Sequence, residues 1–197
     1  MNAIKTAKSL LRQELKAKLN AMSPDERTRQ SQIVQTKVLQ HDLYKESKRL
    51  SIFLSMHDEI NTDLILHDAL SFGKAVYIPR YDSKSTYMDM VRLRSWEEYD
   101  ALPMTKWKIK QPPLDQDREK ALDSGGLDLI LVPGLAFSRA GHRMGRGRGY
   151  YDTYLARSRV MQEHPPNTIA LAFIEQVLPQ IPVEETDVPI DIILSAE

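Results

Sequence analysis

Hydrophobic and polar positions change period several times along this chain. Over residues 3–21, Ala3, Ala7, Leu10, Leu11 and Leu19 recur close to helical spacing and predict a helix. Ser23-Pro24-Asp25-Glu26 is a start signal for a second helix. Serine caps, proline suits the first turn, and Glu26 can complete a capping box. That helix is expected to run to about Gln40, with Ile33, Val34, Val38 and Leu39 as its apolar face. The period then switches. "RLSIFLS" (49–55) and "KAVYIPR" (74–80) read as buried strands. Between them "NTDLILHDALSFG" reads as a helix, with Asn61 as cap and Gly73 as stop.

"MDMVRL" (88–93) predicts a further strand, and "SWEEYDAL" (95–102) a short helix capped by Ser95. Residues 103–118 lack clean periodicity and carry three prolines, so they predict a long ordered loop inside one domain. "LDLILVPGLAF" (127–137) is the most apolar run and predicts a central strand ending at Pro133-Gly134. A helix over about 149–162 and strands at 168–173 and 189–194 complete the reading. Near-continuous apolar strands alternating with helices predict an α/β fold, its parallel-rich sheet covered on both faces. Such sheets bind ligands beyond the carboxyl ends of their strands. The loops 55–60, 80–87 and 134–149 all follow strand ends and should meet there.

Length changes this picture little: 197 residues suit a single domain spanning 1–197. Lysine plus arginine balance aspartate plus glutamate at 27 each, which argues against nucleic acid or membrane as a partner. No cysteine is present, so thiolate chemistry and disulfides are excluded. No apolar run approaches the ~20 residues of a membrane span. The basic N-terminal stretch resembles a transit peptide in part, but Glu14 breaks the acid-poor pattern; a cytoplasmic protein is expected.

The chemistry concentrates in "GHRMGRGRGYYD" (141–152). The loop follows a strand and opens a helix. Gly145, Gly147 and Gly149 let a ligand approach the backbone, and the helix start offers free N–H groups to an anion, most naturally phosphate. Arg143, Arg146 and Arg148 add guanidinium forks that suit phosphate oxygens. Asp152, in the first helical turn, and Asp187, beside a strand edge, are candidate Mg²⁺ carboxylates. The glycine spacing is neither the Walker loop nor the dinucleotide fingerprint. An Arg-Gly loop contacting RNA, or a glycine-rich turn with solvated arginines, stays open at this point. In "FLSMHDEI", Leu54 and Met56 could line an apolar slot and Glu59 could accept from a heterocycle's N–H groups; alternatively Leu54 is core and Glu59 a solvated acid. Lys8 and Arg12 share one helix face, either solvated or reaching over a phosphate. Tyr150 and Tyr151 either pack on the sheet or line a pocket, and Trp107 either packs or stacks on a flat ring. No histidine shows metal-ligand spacing.

Taken together, "AKSLLRQELKAKLNAMSPDER", "KRLSIFLSMHDEI", "VYIPRY", "MDMVRL", "GGLDLILVPGLAFSRAGHRMGRGRGYYDTYL" and "LAFIEQ" resemble the 5-formyltetrahydrofolate cyclo-ligase family over nearly the full length, most closely its animal form. The resemblance implies a three-layer α/β/α sandwich around a largely parallel, mixed sheet. It implies ATP- and Mg²⁺-dependent closure of 5-formyltetrahydrofolate to 5,10-methenyltetrahydrofolate, with release of ADP and phosphate. Residue by residue, it implies ATP contacts at Lys8, Ser9, Leu10, Leu11 and Arg12. Further ATP contacts would come from Arg143, Met144, Gly145, Arg146, Gly147, Arg148, Gly149, Tyr150 and Tyr151. The folate would touch Leu54, Glu59 and the stretch Arg146, Gly147, Arg148, Gly149 and Tyr150. Asp152 and Asp187 would serve the metal, and Arg146 and Arg148 would be catalytic. The partners implied are small molecules only, with the chain acting as a monomer. Ser138 and His142 depart from the residues common in the family. The other classes to distinguish are a nucleotide- or folate-binding protein without turnover, and an RNA binder.

Overall fold

The computed structural model describes residues 3–105 and 109–197. Trp107 lies outside them.

Alternation along the strands explains the layers. In the strand Leu129–Val132 (β4), Leu129 and Leu131 point into one apolar cluster, while Ile130 and Val132 point into another. The next-door strand Asn167–Leu171 (β7) divides the same way, Ile169 and Leu171 against Ala170. Both faces are therefore dry, and each needs a helical cover. The first cluster takes Val34 and Val38 of the helix Pro24–Gln40 (α2), with Ile65, Leu66 and Ala69 of the helix Asp63–Ser71 (α4). The second takes Tyr154 and Leu155 of the helix Tyr150–Met161 (α6). The result is a three-layer α/β/α sandwich.

Six strands form the main sheet among the described residues, in the order β3-β2-β1-β4-β7-β9. They are Arg49–Ser51 (β1), Ala75–Tyr81 (β2), Met88–Leu93 (β3), β4, β7 and Ile192–Leu194 (β9). All pairings are parallel except that of the edge strand β3 with β2. From β1 the chain moves outward to β2, and from β4 it moves the opposite way to β7. The order thus reverses between β1 and β4, and loops leaving their carboxyl ends diverge to leave a crevice.

Three expectations need correcting. The central strand stops where expected, β4 ending at Val132 just before Pro133-Gly134, but the rest of the run does not stay with it: Ala136–Ser138 (β5) belongs to a second, three-stranded sheet with Arg143–Met144 (β6) and Val177–Leu178 (β8). The segment 49–55 keeps its ladder only to Ser51, since the chain must leave the sheet to form the crevice wall. The apolar stripe of the helix Ala3–Ala21 (α1) is Leu11, Leu15 and Leu19, with Leu10 exposed. Leu15 packs with Ala136, Met144 and Ile181, so α1 lies on the small sheet.

Caps behaved as their chemistry dictates. Ser23 accepts from the Glu26 N–H, and Ser95 from that of Glu98 in front of the helix Trp96–Ala101 (α5). Asn61 Oδ1 accepts from the Asp63 N–H, one position ahead of the formal cap Thr62. A short helix, Asp42–Glu46 (α3), was not foreseen. The long loop is tied to the sheet: Gln111 exchanges hydrogen bonds with both backbone groups of Tyr81, and Arg80 donates to the Gln116 carbonyl at 2.6 Å.

Candidate active site

A cleft of about 950 Å³ opens over the crevice between β1 and β4. That is near the upper end of small-molecule sites. The three loops expected to meet do meet here. After β1 come Leu54, Met56 and Glu59; at the carboxyl end of β2 comes Tyr81; after β4 comes the glycine-arginine loop.

The loop is shaped from both ends. β5 and β6 make a hairpin, on which the two departing residues meet: Ser138 Oγ lies 3.2 Å from His142 Nδ1. Beyond it the chain needs left-handed backbone at Gly147 (φ 108°) and at Gly149 (φ 71°), which is the N-cap of α6. A side chain at either position would be strained. No side chain caps α6, so its first N–H groups stay available at the cleft.

The three loop arginines have different fates. Arg143 is buried, and its Nη2 donates to Asp152 Oδ2 at 2.8 Å. Its Nε is buried without a hydrogen-bond partner among the described residues. Arg146 Nη2 reaches Asp58 Oδ1 at 2.7 Å and Glu59 Oε1 at 3.3 Å. Arg148 is exposed and has no hydrogen bond or ion pair among the described residues.

Glu59 is not a solvated loop acid. Its side chain is 9% exposed, and its Oε2 accepts from the Met56 N–H at 2.9 Å. Burial raises its pKa above the usual carboxylate value; the Arg146 charge and the Met56 N–H oppose that rise without cancelling it. Leu54 is both core and cleft lining. Tyr151 lines the cleft with a buried hydroxyl that lacks a hydrogen-bond partner among the described residues. Tyr150 stacks on Tyr81, ring centroids 5.1 Å apart, and donates to the Asp82 carbonyl.

On the opposite wall, Lys8 is no solvated cation. It is 4% exposed and donates to Asp187 Oδ2 at 2.6 Å and Glu184 Oε2 at 2.9 Å. Burial pulls its ammonium down, but these two carboxylates more than offset that and hold it above the ordinary lysine value. Arg12, one turn on, donates from Nε to the Gly145 carbonyl at 3.0 Å. Ser9 and Leu10 are exposed outside the cleft, and Leu11 packs beneath it on the small sheet. Residues not singled out from sequence also line it: Lys16, which extends the Lys8–Arg12 face by a turn, then Tyr81 and Glu184. Asp58, packed under the wall, was missed as well.

The two candidate metal carboxylates are brought together. The Val188 N–H donates to Asp152 Oδ1 at 3.2 Å, so Asp152 abuts the residue following Asp187. The Glu184 N–H fixes Asp187 Oδ2 at 2.8 Å. Two hard oxygen donors, oriented by backbone and facing a cleft, suit Mg²⁺, which takes one or two carboxylates and completes its shell with phosphate and water. No group of three or more acidic, histidine or cysteine ligands occurs among the described residues. Nor is any described helix long and apolar enough to cross a membrane.

The 5-formyltetrahydrofolate cyclo-ligase family model matches residues 4–196. The chain belongs to that family. It is 53% identical over 191 residues to the 5-formyltetrahydrofolate cyclo-ligase of Mus musculus, covering 97% of this chain and 94% of the mouse protein. It is 44% identical over 192 residues to the probable enzyme of Caenorhabditis elegans, covering 97% and 93%. The solved 5,10-methenyltetrahydrofolate synthetase of Aquifex aeolicus superposes with a TM-score of 0.75 at 26% identity, over 94% of this chain and 88% of that one. The chain is therefore a cyclo-ligase enzyme close to the animal members of the family.

Proposed function

We propose that the cleft binds ATP and 5-formyltetrahydrofolate side by side and closes the folate ring to 5,10-methenyltetrahydrofolate. One observation carries this reading. A positive-φ glycine loop and an uncapped helix start face the buried acceptor Glu59 across a single cleft, so a phosphate site and a heterocycle site adjoin.

The γ-phosphoryl group passes to the formyl oxygen and ADP leaves. The formyl carbon now carries a phosphate ester in place of a carbonyl. N10 attacks that carbon, its proton is lost, and the C–O bond breaks to release phosphate. The formyl oxygen departs with the phosphate, so all atoms balance. Free N–H groups at Gly149 and the first turn of α6 receive phosphate oxygens. Arg148, exposed and uncommitted among the described residues, neutralises charge on the transferred group. Arg146 bridges the two halves of the site, with Glu59 orienting the pterin N–H groups and Leu54 packing on its ring. Arg12 braces the loop through the Gly145 carbonyl. Asp152 and Asp187 would hold Mg²⁺, which supplies charge neutralisation on the phosphates. Lys8 and Arg143 keep those carboxylates placed. The substrates are small molecules, and a monomer in the cytoplasm suffices.

Incubation of purified protein with 5-formyltetrahydrofolate and Mg-ATP should produce the methenyl absorbance band together with ADP. Tight binding of both ligands with no absorbance change would mark a binding protein instead. RNA affinity that collapses with salt, without ATP use, would favour the Arg-Gly reading.

A further inference from the structure

Asp58 is 5% exposed and does not itself line the cleft, but it holds a residue that does. Its carboxylate receives Arg146 Nη2 at 2.7 Å, shorter than either contact of Arg146 with Glu59, at 3.3 and 3.4 Å. Arg146 is thus held by two neighbouring carboxylates. Among the described residues these have little other charge compensation: the exposed His57 stands 4.0 Å from Asp58, and Glu59 otherwise accepts from one backbone N–H.

A guanidinium cannot hold two buried acids and a phosphate equally well. If it turns toward phosphate, Asp58 and Glu59 are left as a buried like-charge pair, a costly arrangement. N–H groups of a heterocycle at Glu59 would offset that cost. Conversely, a heterocycle that satisfies Glu59 loosens Arg146 for the phosphate.

We infer that Asp58 is a positioning residue that couples the two substrate sites, by holding Arg146 back from the nucleotide until the folate occupies Glu59. This rests on the proposed roles of Arg146 and Glu59. The coupling is reciprocal by linkage, so each ligand tightens the other by the same factor.

The test is calorimetric titration of the full chain with a non-hydrolysable ATP analogue and Mg²⁺, with and without saturating 5-formyltetrahydrofolate. In the unmodified protein the folate should tighten the analogue by about fivefold or more. In Asp58→Asn the analogue alone should bind more tightly than to the unmodified protein, and the folate effect should shrink toward one. Arg146→Lys keeps the buried charge but loses the fork that grips both acids. It should show the same loss of coupling, and it serves if Asp58→Asn does not fold. Coupling that persists at full size in either folded variant, or is absent from the unmodified protein, overturns the inference. Arg146→Ala separates the underlying reading. Unchanged analogue affinity there removes Arg146 from the phosphate and takes down both claims. Weakened affinity with coupling intact in Asp58→Asn takes down only this one.

Discussion

At the scale of single residues, environment assigns different work to similar side chains. Arg143, Arg146 and Arg148 are alike in the sequence, but only Arg148 is exposed and uncommitted among the described residues. Arg148→Ala should therefore lower turnover by about a thousandfold, the scale on which arginines act in phosphoryl transfer. The melting temperature should not move, because no described contact is lost. Equal turnover in this variant would remove Arg148 from the chemistry. Glu59 gives a second test. Burial raises its pKa, and the Arg146 charge is the largest effect opposing that. Arg146→Ala should raise it further, as followed by carboxyl-carbon NMR across a pH series; a fall would contradict the pairing. The sign for stability follows. An acid whose native value lies above its unfolded value binds more protons when folded. Glu59 therefore costs stability as pH rises from its unfolded value toward its raised native one, and more so without Arg146. Residue types were legible in the sequence, but partners were not. Lys8 reads as a helix-face cation, and only the fold reveals Glu184 and Asp187 beside it, far along the chain.

At the scale of elements, the loop works because its backbone is left-handed at two places and its neighbours hold it there. A Cβ at Gly149 would meet nothing within 4 Å. Gly149→Ala should thus cost only the conformational term, about 1–2 kcal/mol, seen in urea unfolding, together with weaker nucleotide binding. Gly126→Ala is the control. Gly126 also has positive φ, and its added Cβ would fall 2.4 Å from Gln162. Stability should drop while KM for both substrates stays unchanged, since Gly126 and Gln162 lie outside the cleft. Leu15→Ala empties part of the contact between α1 and the small sheet, for about 2–5 kcal/mol. The helices α1, α2, α4, α5 and α6 were legible from period and caps. The small sheet was not. Its strands are two and three residues long. A two-residue strand has no measurable alternation, and its pairing partners lie elsewhere in the chain. The apolar run 127–137 showed its break at Pro133-Gly134 but not the second sheet beyond it, because Leu135 and Phe137 are buried whether or not they sit in the main sheet.

At the scale of the whole molecule, function follows from where strand order reverses. Outward progression from β1 one way and from β4 the other leaves the crevice that brings Glu59 to the glycine-arginine loop. The parallel, two-faced sheet could be read from apolar runs, and with it the edge on which ligands bind. The order of strands could not, so neither could the approach of Asp152 to residues 187–188. The central claim is that this juxtaposition lets phosphate be handed to the formyl oxygen. A heavy-oxygen label placed in the formyl group of 5-formyltetrahydrofolate tests it directly. After turnover with unlabelled Mg-ATP in unlabelled water, mass spectrometry of the released phosphate should find one labelled oxygen per molecule of methenyl product. Unlabelled phosphate, with the label recovered in water, would contradict the account.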